Sequence, residues 1–209
     1  MHHHPDHAHP AILDALTFTV EALSARGDDA KLQGLAQRLS PLLSDHDTIE
    51  ADGHALRRAV IAATARVKVA DAALDAGIAA FAKDLLALSG GAADPLYQGY
   101  FVDGHEDVIA LGLDSELPQV AVIVGRLDAD AAAPAGLRAH LEPLRAGMRM
   151  GNAALADRSD AYTDLGRHEA RCVAWRETAG CALRSTRRAL VALATDRGLA
   201  STWIDTFFA

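Results

Sequence analysis

Three residues in the first third of the chain have the spacing of metal ligands. His46, Glu50 and His54 follow one another at four-residue intervals, so on an uninterrupted helix they would share a face. Two imidazoles and a carboxylate form a ligand set that can bind zinc or iron. Gly53 could interrupt the helix, and a solvated polar helix start is the alternative interpretation. We keep this face as a metal-site hypothesis and expect no resident cofactor.

The amino terminus is also rich in histidine. Residues 1–9 are predicted to be a disordered tail, because they contain no periodic apolar pattern. The tail could chelate nickel, copper or zinc, or it could be a terminal extension without a metal role. Its histidines are His2, His3, His4, His7 and His9.

The remaining chemical patterns do not indicate catalysis. The sequence has no glycine-rich phosphate loop, no Cys-x-x-Cys pair and no nucleotide-binding fingerprint. Cys172 and Cys181 are nine positions apart, which places them on opposite faces of a predicted helix and out of reach of a disulfide. His168 beside Glu169 is typical of a surface pair. We therefore expect a protein that is not an enzyme.

Aromatic residues gather at two places. Six of the ten (five Phe, three Tyr and two Trp) lie near residue 100 or in the last seven positions. They could close the ends of a helical core, or they could anchor another subunit or a protein partner. The candidate partner-binding residues are Tyr97, Tyr100, Phe101, Trp203, Phe207 and Phe208.

Apolar residues recur at steps of three and four, which predicts an all-α fold. The clearest stripe predicts a long helix over residues 56–88 with a coiled-coil-like seam. A shorter stripe precedes it at 12–23, and residues 31–39 are predicted to form a second short helix. Pro41 either kinks that helix or begins the next one. The long seam consists of Leu56, Val60, Ala63, Val67, Ala70, Leu74, Ile78, Phe81, Leu85 and Leu88.

The second half repeats this order of a short helix followed by a long one. Residues 115–127 carry a short apolar stripe, and residues 134–196 carry a long one. Arg158, Glu169 and Arg176 would fall on the long stripe. The run is therefore either one helix or two helices separated near Gly166, and we favour one helix that bends there.

A sequence match indicates internal duplication. The pattern G-L-x-x-x-L-x-P-L begins at Gly34 and again at Gly136, an offset of 136 − 34 = 102 residues. A repeated supersecondary unit produces such an offset. We predict two tandem copies, at about residues 10–103 and 113–209, in a single domain over residues 10–209. The predicted fold is an elongated antiparallel helical bundle that arose from a fused homodimer.

Composition restricts the partners. The formal net charge is −8, which argues against nucleic acid and anionic membranes, and no stretch has the apolar length of a membrane span. The chain also lacks a signal-peptide pattern, so we expect a cytoplasmic protein, and its alanine and arginine content indicates a GC-rich bacterial genome.

The predicted function follows from the seams and the lack of a catalytic pattern. We expect a non-catalytic helical interaction or scaffold protein that self-associates or binds a protein partner. The alternative is a helical bundle that binds a metal or a small ligand.

Overall fold

The computed structural model describes residues 8–209, with side chains described from residue 11 onward. The first helix begins at Ala8, one residue before the predicted end of the tail. The rest of the predicted tail and the hypothesis that its histidines chelate a metal lie outside the described residues.

The predicted all-α class is confirmed. Residues 8–209 contain helices and connecting turns without a strand, and no helix in this range is long and apolar enough to cross a membrane. The helices are α1 (Ala8–Ser24), α2 (Ala30–Ser89), α3 (Pro95–Gln98), α4 (His105–Ile109), α5 (Leu113–Ala129), α6 (Ala135–Arg138), α7 (Leu141–Asp196) and α8 (Thr202–Asp205).

The prediction of a separate helix over residues 31–39 is wrong, because α2 continues through Pro41 to Ser89. Proline removes one helical hydrogen bond, to the carbonyl of Gln37. Pro41 lies on the exposed side of α2, where water can satisfy that carbonyl. The helix therefore continues past a residue that usually ends one.

The start of α2 is fixed by Asp29. Its carboxylate accepts hydrogen bonds from the backbone amides of Lys31, at 3.0 Å, and Leu32, at 3.4 Å. Such a side chain satisfies amides that have no partner within the helix. The same carboxylate forms an ion pair with Arg197, just after the end of α7.

The long run of the second half also forms one helix, α7, which continues through Gly166. Glu169 is exposed and Arg176 is partly exposed, whereas His168 and Trp175 are buried on the inward face. The stripe therefore runs through His168 and Trp175, one position before the predicted Glu169 and Arg176. The apparently polar middle came from this error of one residue in register.

The chain divides into two compact units, and the division crosses both long helices. The terminal unit contains the described residues up to Ala55 together with Leu165–Ala209. The central unit is Leu56–Asp164. The predicted copies at about 10–103 and 113–209 therefore each contribute to both units.

Each unit has its own apolar core. The central core includes Leu74, Phe81, Phe101, Leu127 and Leu144. The terminal core includes Leu16, Leu23, Trp175, Leu190 and Phe207. Most of the predicted α2 seam is buried in the central core, but Leu88 is exposed near the end of the helix.

Candidate functional site

The three predicted metal ligands face different environments. His46 is buried, with its ring centroid 4.8 Å from that of Trp175, whereas Glu50 and His54 are exposed. Each four-residue step rotates a position by about 40° around an α-helix, so the row turns from the core towards solvent. Among the side chains described, those of residues 11–209, no group of three or more His, Cys, Asp or Glu is placed to hold a metal ion.

His168 is buried, contrary to the sequence-based expectation of a surface position. Its ring lies against Gly53 so closely that a Cβ atom built on the glycine would be 2.6 Å from Nε2. The same nitrogen lies 3.4 Å from Sγ of Cys172, one turn further along α7. Gly53 therefore leaves room for an imidazole instead of interrupting α2. The spacing of His168 and Trp175 on the α7 stripe was the signal that could have revealed this contact.

The central unit contains a cluster of three carboxyl groups that the sequence analysis missed. Glu116, on α5, has no exposed surface, and no N–H or hydroxyl group donates to either of its carboxyl oxygens. Asp71 and Asp75, one turn apart on α2, each have one buried oxygen that also lacks such a donor. In the terminal unit, Leu16 stands three residues after Leu13, as Glu116 stands three residues after Leu113.

The surroundings favour the neutral form of Glu116. Burial, then the negative charge of Asp75, the hydrogen bond with the Asp75 side chain and the charge of Asp71 raise the pKa of Glu116 to about 8. Burial and the charge of Asp75 also raise the pKa of Asp71, although the backbone amide of Leu113 acts in the opposite direction. Burial removes water from a carboxyl group, and without a nearby cation to stabilise its negative charge the group keeps its proton to a higher pH.

The first aromatic group packs into the central core. Tyr97 and Phe101 are buried with ring centroids 5.4 Å apart, and Phe101 contacts Phe81 of α2 at 5.9 Å. The hydroxyl of Tyr97 lies 2.9 Å from Nδ1 of His105. These contacts favour the core-closing interpretation for Tyr97 and Phe101.

Tyr100 is placed differently from these two residues. It is only partly buried and lines a groove of about 330 Å³ together with Val102, Val122 and Arg126. Burial raises the pKa of the Tyr100 phenol, and the Asp130 charge adds to this effect. Tyr100 is thus a predicted partner-binding residue that reaches a surface groove.

The carboxyl-terminal aromatic residues pack into the terminal core. Phe207 is buried, and its ring centroid lies 4.9 Å from that of Trp203. Trp203 and Phe208 are partly buried, and the guanidinium of Arg187 lies 5.3 Å from the centroid of the Phe208 ring. The burial of Phe207 favours a core role, whereas Trp203 and Phe208 keep some surface for a partner.

An exposed apolar row lies on α2, opposite its core side. Ile61 is 69% exposed and Val69 is 66% exposed. Alanines at 65, 72 and 76 continue the same row of three- and four-residue steps, and all are exposed. We call the row of Ile61, Ala65, Val69, Ala72 and Ala76 the outer face of α2. A helix that is apolar on two opposite sides is typical of one that is covered on both.

Basic side chains border the outer face. Arg58 precedes it and Lys83 follows it on the same side of the helix, and Lys68 lies at its edge; all three are exposed. The chain as a whole is acidic, with 28 Asp and Glu against 20 Lys and Arg. The outer face is thus an apolar strip with a locally positive rim.

Comparison with protein-family models, with curated proteins and with solved structures finds no match for this chain.

Proposed function

We propose that this chain is a non-catalytic helical interaction protein that self-associates through the outer face of α2. The observation that carries the proposal is the exposure of Ile61 and Val69 in an apolar row about four turns long. Covering such a row removes apolar surface from water, at about 25 cal/mol for each Å² buried. The small alanine side chains of the row would allow a second helix to approach α2 closely.

A second copy of the chain is the occupant that we propose. In an antiparallel pairing centred between Val69 and Ala72, each residue of the row meets another member of the same row or a neighbouring alanine. This arrangement is isologous, so it closes as a dimer and does not continue into a fibre. It also places Arg58 of each copy opposite Lys83 of the other.

Because the rim of the outer face is positively charged, the effect of salt on association identifies the kind of partner that binds there. Salt screens repulsion between like charges, so the proposed pairing should strengthen when ionic strength rises. Docking of an acidic helix from another protein would instead weaken, because salt would screen an attraction. The sign of the salt dependence therefore distinguishes a second copy from an acidic partner.

The test is sedimentation velocity over a wide range of protein concentration. We expect a monomer–dimer equilibrium in the wild type and at least about a tenfold weaker dimer in the double variant Ile61→Glu, Val69→Glu, because buried unpaired charge opposes association. Val191→Glu is the matched control, since Val191 is also an exposed valine on a long helix but lies in the terminal unit.

Two results would contradict the proposal. One is a wild-type chain that stays monomeric at every concentration and salt level. The other is an equal loss of association in the Val191→Glu control, which would locate the contact elsewhere or indicate a general effect of added negative charge.

We also propose that the chain is a tandem duplication arranged as an antiparallel bundle. In support, α1 and α5 each have 17 residues, α2 and α7 have 60 and 56, and α3 and α8 each have four. Leu13, Val20 and Leu23 correspond to Leu113, Val120 and Ile123 at a constant offset of 100. A solved structure in which the two halves superpose no better than unrelated helices would rule this out.

A further inference from the structure

We propose that Asp71, Asp75 and Glu116 form a proton-binding site that couples the packing of α5 against α2 to pH. The cluster holds a proton at neutral pH, and its release in alkaline solution loosens the central unit. This inference is independent of the self-association proposed above, because the three carboxyl groups do not belong to the outer face of α2.

The first step in the argument is the position of Glu116. Its side chain has no exposed surface and lies on the buried side of α5, one residue before Leu117. A charged carboxylate without hydrogen bonds in such a place would lose its hydration and gain nothing in return. No N–H or hydroxyl group donates to either oxygen of Glu116, and its hydrogen bond with the Asp75 carboxyl requires a proton between the two acids. The neutral acid is therefore the form that the surroundings tolerate.

The second step is the charge that surrounds Glu116. From α2, Asp71 and Asp75 face it, and both increase its tendency to keep a proton. From α7, Arg158 contacts α5, but its guanidinium donates to Oδ2 of Asp114 at 3.0 Å. The positive charge of Arg158 is therefore paired with Asp114. Protonation relieves the repulsion among the three clustered carboxyl groups.

The direction of the pH effect follows from linkage. The folded chain binds a proton at Glu116 between about pH 4.5 and about pH 8, where the unfolded chain has released it. Stability from this group is therefore fully present below about pH 4.5 and falls as the pH rises through that window. Above about pH 8 the cluster carries an added buried charge, and α5 separates more readily from α2.

The direct test is a carbon-13 carboxyl NMR titration of the wild-type chain, combined with hydrogen exchange of the α5 amides. We expect Glu116 to titrate near pH 8, and we expect the exchange protection of α5 to fall by at least about tenfold between about pH 5 and about pH 9, after correction for intrinsic exchange rates. A Glu116 carboxyl that titrates near 4.5, the usual value, would overturn the proposal.

Two substitutions test the site by a second route. Glu116→Gln removes the titration while keeping the shape, and Glu116→Leu installs the residue type that the terminal unit has at Leu16. Both should abolish the change in α5 protection with pH. Glu106→Gln is the control, because Glu106 is an exposed acid in the same unit. A pH dependence that persists in both Glu116 variants would overturn the proposal, and so would its loss in the Glu106→Gln control.

Discussion

Gly53 shows how one missing methyl group permits a close contact between two helices. Its position against His168 leads to a prediction for Gly53→Ala. The added Cβ would lie 2.6 Å from Nε2 of a buried ring, so the ring or the helix must shift. We expect a net loss of about 1–2 kcal/mol in the free energy of unfolding, because overpacking exceeds the gain in helix propensity.

Gly166→Ala is the matched control for this measurement. Gly166 is also a helical glycine of the terminal unit, but it has no neighbouring atom within 4 Å of an added Cβ. The control should gain up to about 1 kcal/mol. Urea unfolding followed by tryptophan fluorescence reports both changes, since Trp175 and Trp203 both lie in the terminal unit. If Gly53→Ala were as stabilising as the control, the contact with His168 would not be tight.

At the scale of residues, a role can be predicted from the sequence only where a residue type has one common environment. The two aromatic groups were predictable, but the choice between core and interface was not, because a large ring serves both. The burial of Glu116 was not predictable, because a glutamate is usually exposed and this burial depends on α2 residues more than 40 positions away. Long-range packing of this kind leaves no local pattern.

At the scale of elements, the short segment that contains α8 and the residues just after it packs into the terminal core through Ile204 and Phe207. Phe207→Ala should lower the free energy of unfolding by about 3–5 kcal/mol, since it leaves a cavity where a fully buried ring was. Thr202→Ala, an exposed change on α8 itself, should be close to neutral. Thermal unfolding monitored by circular dichroism would measure both. Equal melting temperatures for the two variants would show that the Phe207 ring does not stabilise the core.

Helix type was predictable from apolar spacing, whereas helix limits were not. The α2 stripe was recognised because most of its buried positions repeat at three and four. The start of α2 was placed wrongly because Pro41 is a strong local signal for a helix end, and the exposure that makes it tolerable depends on packing. For α7, a single register error around His168 made a continuous helix resemble two.

At the scale of the whole molecule, the two units should respond to pH in opposite directions. In the terminal unit, the hydrogen bond from Arg197 is the main cause that lowers the pKa of Asp29 to about 2. Stability from this group is present above the usual value of 3.8 and is lost as pH falls towards 2. Acid should therefore weaken the terminal unit, whereas it should strengthen the central unit through Glu116.

Intrinsic fluorescence can separate these responses. Both tryptophans lie in the terminal unit, and the three tyrosines, Tyr97, Tyr100 and Tyr162, lie in the central unit. Thermal melts at acidic and neutral pH should therefore shift the two signals in opposite directions. Asp29→Asn should remove the acid sensitivity of the tryptophan signal alone. Signals that shift together at every pH would contradict independent control of the two units.

The division of the chain also has a consequence for its synthesis on the ribosome. The central unit is one continuous segment, Leu56–Asp164, so all of its parts have been translated before the last 45 residues appear. Leu16 and Leu23, which belong to the terminal core, are translated early. Their apolar side chains are covered only after Trp175, Leu190 and Phe207 of the same core have been translated. A nascent chain stalled once Asp164 has left the ribosomal exit tunnel should thus carry a folded central unit and exposed apolar side chains near its amino terminus that bind chaperones.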